Sequence, residues 1–158
     1  MKSVTRFPQL FVTVLWFALS TAACGDEASA PPQSGSTILT RGTGLDFTTG
    51  RLENPGTYAN TDLYATENGD SGMRLATGGD SPTQNRPIVW FRNAGMVLET
   101  YDSLSEVPTD RPTGVDFLTN AKTGYGFVLQ SIDGDYIRGW ISNATATSVS
   151  VEWDRLID

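Results

Sequence analysis

Histidine is absent from the 158 residues, and cysteine occurs once, as Cys24. Without imidazole the chain has no Ser-His-Asp or Cys-His catalysis, no His-ligated zinc and no bis-His haem. A single thiol cannot form an intramolecular disulfide, so the fold rests on its core alone. Lysine is almost as scarce, with only Lys2 and Lys122. The 18 acidic residues outnumber the 11 basic ones and leave a net charge of -7. No basic face is on offer to a phosphate backbone, which argues against nucleic acid as a partner. No segment beyond the first 30 residues sustains a helical period, and no repeat of 20–50 residues marks a solenoid.

The N-terminus does carry a clear pattern. Lys2 and Arg6 precede an apolar stretch from Leu10 to Leu19 and a small-residue run from Ser20 to Ala23. That is the anatomy of a secretory signal peptide spanning residues 1–23. The uncharged stretch is shorter and more polar than the roughly 20 apolar residues of a spanning helix. Thr21-Ala22-Ala23-Cys24 resembles a bacterial lipobox. The resemblance implies cleavage before Cys24, acylation of its thiol (a palmitate-type modification) and a membrane partner reached through that lipid. Several acyl chains hold a protein firmly, at about 0.8 kcal/mol per buried methylene. Residue 25 is Gly rather than Asp, so the inner-membrane retention signal of such lipoproteins is missing. The expected address is the bacterial cell envelope, on the periplasmic face or surface of the outer membrane. After cleavage 18 acids face 9 bases, a net of -9 over 135 residues.

Residues 24–37 contain Pro31-Pro32 and read as a flexible tether. Residues 38–158 read as one all-β domain, an antiparallel sandwich or partly open barrel closed by a three-stranded meander. Strands are expected near 36–41, 45–49, 60–66, 73–77, 87–92, 95–100, 125–131, 135–142 and 147–154. Residues 101–106 suit one helical turn, and 108–116 a proline-bearing loop.

Asp133-Gly134 marks the clearest hairpin. A two-residue turn there would scatter apolar residues over both faces. A three-residue loop at 132–134 with left-handed Gly134 pairs 129 with 137 and 127 with 139, gathering Tyr125, Phe127, Leu129, Ile137 and Ile141 on one face. The other face receives Gln130, Ser131, Asp135 and Arg138. Val149, Val151 and Trp153 then alternate with polar neighbours in the last strand. In this register Tyr136, Arg138 and Trp140 form a row opposite the apolar face, a possible ligand-contact surface. The competing reading has these aromatics screening a second layer of structure.

Leu45-Asp-Phe-Thr-Thr-Gly50, Thr61-Asp-Leu-Tyr64, Asp133-Gly-Asp-Tyr136 and Val149-x-Val-x-Trp153 follow one another in an order that resembles the HmuY-like β-rich lipoproteins. The resemblance covers about a quarter of the chain. It implies a β-rich scaffold and a lipoprotein lifestyle. The haem-ligating histidines of the founding member have no counterpart here.

Other chemistry is thinly represented. Met73 and Met96 are the available thioether ligands beyond Met1, and core packing is the simpler use of both. Asn68–Gly72 and Asp133–Asp135 concentrate acids without the Asp-x-Asp-x-Asp-Gly spacing of a calcium loop, and suit turns. Lys122 lacks the Ser-x-x-Lys context of a nucleophile's base, and Gly42-x-Gly44 and Gly124-x-Gly126 precede strands instead of helices. No catalytic, cofactor-binding or metal-ligating residue is assigned. The expectation is a non-enzymatic binding or interaction module for a small molecule, glycan or envelope protein. The alternatives are a small carboxylate-dependent carbohydrate-active hydrolase and a haem binder without histidine.

Overall fold

The computed structural model describes residues 30–53, 61–67, 72–78, 86–114 and 119–157. The signal peptide, Cys24 and residues 25–29 of the tether lie outside the described residues, as do Asn68–Ser71. Ten strands follow in chain order: β1 (Ser34–Thr40), β2 (Gly44–Asp46), β3 (Arg51–Glu53), β4 (Leu63–Glu67), β5 (Met73–Thr77), β6 (Ile88–Trp90), β7 (Thr119–Asn120), β8 (Gly126–Gln130), β9 (Tyr136–Ala144) and β10 (Ser148–Leu156). Leu104–Glu106 form a 3-10 turn where one helical turn is expected.

The protein is all-β. One sheet has the order β1-β10-β9-β8-β6 and the other β3-β2-β4-β5-β7, every pairing antiparallel. The sheets do not close into a barrel, so the sandwich-like alternative holds. Between them lies one core, with Leu45, Phe47, Leu63, Met73 and Leu75 from one side and Trp90, Phe127, Leu129, Ile137, Ile141 and Val151 from the other. Each such side chain contributes about 1.5–3 kcal/mol when fully buried. Phe47 meets Trp153 edge-on at 5.0 Å and stitches the layers together.

The closing meander has the expected register. Leu129 pairs with Ile137 and Phe127 with Gly139, and Gly134 has φ +93°. A side chain at 139 would run into the Phe127 ring, so the ring fills the space its partner leaves.

Several elements differ from expectation, among them the strand expected at 45–49, which ends at Asp46 because 47–50 turn. β1 starts at Ser34 rather than near 36, because Ser34 to Thr40 all pair with β10. The strand expected at 95–100 is a tight turn and an arm held by the isolated bridges Arg92–Leu98 and Thr100–Tyr125. β3 and β7 were not anticipated, being three and two residues long and without apolar alternation.

Strand direction defines two ends of the sandwich. The nine residues of β9 span roughly 27 Å. The first end gathers the 131–135 turn, the finish of β10, the start of β1 and the 47–50 turn. At the second lie the 145–147 turn, residues 121–125 and the 93–97 turn. The chain preceding Ser34 therefore joins at the first end.

Candidate functional site

At the second end β6 runs on through Phe91 and Arg92 into a tight turn. The Asn93 N–H donates to Val97 O at 3.0 Å, the Met96 N–H to Asn93 O at 2.9 Å, and the Gly95 N–H to Asn93 Oδ1 at 3.1 Å. Met96 takes φ +59°, a left-handed conformation that non-glycine residues seldom adopt. The returning arm donates from Glu99 N–H to Phe91 O and from Tyr101 N–H to Gly124 O. Gly124 has φ +93° and presses against Thr100, which explains a glycine at this crossing.

Between this arm and the 122–125 turn opens a cleft of about 560 Å³, lined by Asn93, Glu99, Tyr101, Lys122, Thr123 and Tyr125 with neighbouring arm residues. The Tyr101 hydroxyl donates to Glu99 Oε2 at 2.5 Å. Burial pushes the Tyr101 phenol above its ordinary value, and the Glu99 hydrogen bond and charge add to the shift, so the phenol stays protonated. Phe91 stands edge-on to the Tyr101 ring. Thr123 Oγ1 accepts from the Ala144 N–H at 3.0 Å. Lys122 is exposed, and Glu99 is the one carboxylate among the cleft-lining residues. Met96 and Val97, 76% and 62% exposed, form an apolar tip beside it.

Tyr136, Arg138 and Trp140 do share the outer face of β9, each half-buried. Their polar atoms are spent within the chain. Residues 101–111 cross that face as a strap. Arg138 donates to both Asp154 carboxylate oxygens and to Val107 O, and these bonds to Asp154 raise its already high pKa. The Trp140 indole N–H donates to Tyr101 O at 2.9 Å. The Arg111 guanidinium sits 4.5 Å above the Tyr136 ring. Val128 and Gly126 lie on this face too, and Val107 and Tyr101 pack onto Gly126. The face opposite the apolar set is thus covered over β8, because the strap supplies apolar side chains of its own. Trp140 ties that covered row to the cleft through Tyr101.

The remaining candidates are dispersed. Met73 is sealed in the core and Met96 sits on the exposed tip, where its turn replaces the expected strand. Asp133 accepts from the Thr48 hydroxyl, and Asp135 pairs with Arg155, both within the first end. No group of three or more Asp, Glu or Cys that could hold a metal occurs among the described residues.

That first end is built from Asp62, which is fully buried. Its carboxylate accepts from Phe47 N–H at 2.9 Å and from Ile132 N–H at 2.6 Å, joining a turn of one sheet to the hairpin of the other. Arg86 stands 3.8 Å away and donates to Thr61 O. Desolvation raises the Asp62 pKa and outweighs the two N–H bonds and Arg86, while neighbouring Asp46 adds to the rise. Arg155 donates from its guanidinium to Phe47 O and Pro32 O and from its backbone N–H to Gln33 O, which receives the incoming chain.

Neither a protein-family model, nor a curated protein, nor a solved structure matches the chain.

Proposed function

We propose that this protein is a lipid-anchored lipoprotein of the bacterial envelope whose β-sandwich binds a ligand, without catalysis, in the cleft of Glu99, Tyr101 and Lys122. The observation that carries the reading is the position of that cleft at the end opposite the one where the chain preceding Ser34 joins. Acylated at Cys24, the chain would reach the domain through residues 25–33, at most about 30 Å of extended backbone. The cleft would then face away from the membrane. The resemblance to HmuY-like lipoproteins favours the same scaffold and the same anchoring.

Binding is favoured over two-carboxylate hydrolysis by the lining of the cleft. A glycosidase needs a second acid roughly 5–9.5 Å from the first, and Glu99 has none beside it among the cleft-lining residues. The Tyr101 phenol, kept protonated, is a donor and not a base.

Metabolic labelling with a fatty acid tests the anchoring. Wild type takes up label and sediments with membranes, whereas Cys24→Ser does neither. Equal labelling of the two proteins would remove the lipid anchor from this reading.

A further inference from the structure

Resting on the cleft as the binding site, we infer that its ligand is a short uncharged saccharide. The hydrogen-bonding inventory is the reason. Asn93 has its side-chain oxygen engaged by Gly95 N–H, which turns its amide NH2 into the free half of the group. Thr123 Oγ1 already accepts from Ala144 N–H, so its own proton is left to donate. Lys122 adds an ammonium. Against these donors Glu99 offers the carboxylate oxygen that Tyr101 does not hold, and Tyr101 offers the lone pairs of its hydroxyl oxygen.

The site thus requires a partner that both donates and accepts at several closely spaced oxygens. Its one anion and one cation cancel, so no formal charge is asked of the ligand. Tyr101 and Tyr125 line the cleft from partly buried positions, Tyr101 against Phe91 and Tyr125 against the core. They give its wall apolar surface beside polar groups, a mixture suited to the C–H and hydroxyl groups of a pyranose. An apolar tetrapyrrole would leave these polar groups unpaired. A polyanion would meet the acidic surface of a chain with net charge -7.

The test is an array printed with neutral oligosaccharides, acidic oligosaccharides and short peptides, probed with the full-length protein in detergent. Titration of the hits follows, by tryptophan fluorescence, since Trp140 is bonded to Tyr101. Neutral oligosaccharides are expected to bind saturably. Glu99→Gln and Tyr101→Phe should each weaken them by about five- to tenfold, the worth of one buried hydrogen bond. Asp135→Asn, at the far end, should leave the affinity unchanged. The single lysine of the domain gives a second readout, because bound sugar should protect Lys122 from reductive methylation. Binding confined to peptides or acidic glycans, yet lost in Glu99→Gln, overturns the saccharide and leaves the cleft as the site. Neutral sugars that bind wild type and all variants alike, with Lys122 unprotected, overturn both. So does an array with no binding in any class.

Discussion

The two ends of the sandwich use polar residues in opposite ways. At the first end they are consumed. Asp62 takes N–H groups from both sheets, Asp133 takes a hydroxyl, and Arg155 holds Asp135, Phe47 O and the incoming chain. At the second end the polar groups are arranged around space, with Tyr101 and Glu99 paired to each other on the arm that forms one wall of the cleft. Polar groups bound to one another make a joint, whereas donors and acceptors left open beside a cavity suit the receptor role proposed above. A single cysteine supplies no intramolecular disulfide to couple the sheets, so packing and this joint do that work among the described residues.

The contrast is broken most severely by Asp62→Ala. It leaves the Phe47 and Ile132 N–H groups without an acceptor and Arg86 without its partner, and should cost about 3–5 kcal/mol in urea melts. Gly134→Val, in the hairpin that the joint holds, should cost roughly 1–3 kcal/mol through strain at positive φ, and Asp135→Asn much less. If those two melt alike, the turn geometry does not matter to the joint.

The pH dependence of stability sharpens the picture further. Because the Asp62 pKa is raised in the folded protein, the native state binds more protons than the unfolded one in the window above its ordinary value of 3.8. Its contribution is fully present below that value and is lost as pH rises through the folded pKa. Asp62→Asn should remove that component, so wild type loses stability relative to the variant as pH climbs through the window. The opposite slope would mean that hydrogen bonding, not desolvation, governs this carboxylate. The smallest effect belongs to the open end, where Glu99→Gln should shift stability by under about 0.5 kcal/mol while weakening ligand binding.

The meander was legible because its cues agree. The apolar set at 125, 127 and 129 and the alternation in 149–153, together with Gly134, favour the bulged register over the two-residue turn. The second sheet was harder to read. Arg51-Leu52-Glu53 and Thr119-Asn120 are too short to carry a period, and their pairing is decided by β2 and β5. The arm at 95–100 misleads because Met96-Val97-Leu98 looks like an apolar strand, yet Asn93 and Gly95 make a turn that throws Met96 outward. Tyr101 and Lys122 were each visible as isolated residues, 21 positions apart. Only the arm's crossing at Gly124 joins them, and nothing local announces that crossing. Asp62 was visible as part of Thr61-Asp-Leu-Tyr64, but its burial depends on Ile132, 70 residues later.

The division of labour between the ends is tested most directly by an NMR titration of the protein with a neutral oligosaccharide selected on the array. Amide shifts should concentrate at Asn93, Glu99, Tyr101 and Thr123, with the Trp140 indole moving alongside and Phe47 and Ile132 unmoved. Shifts centred on 47–50 and 131–135, or on Tyr136 and Arg138 with the cleft silent, would contradict the assignment of binding to the open end.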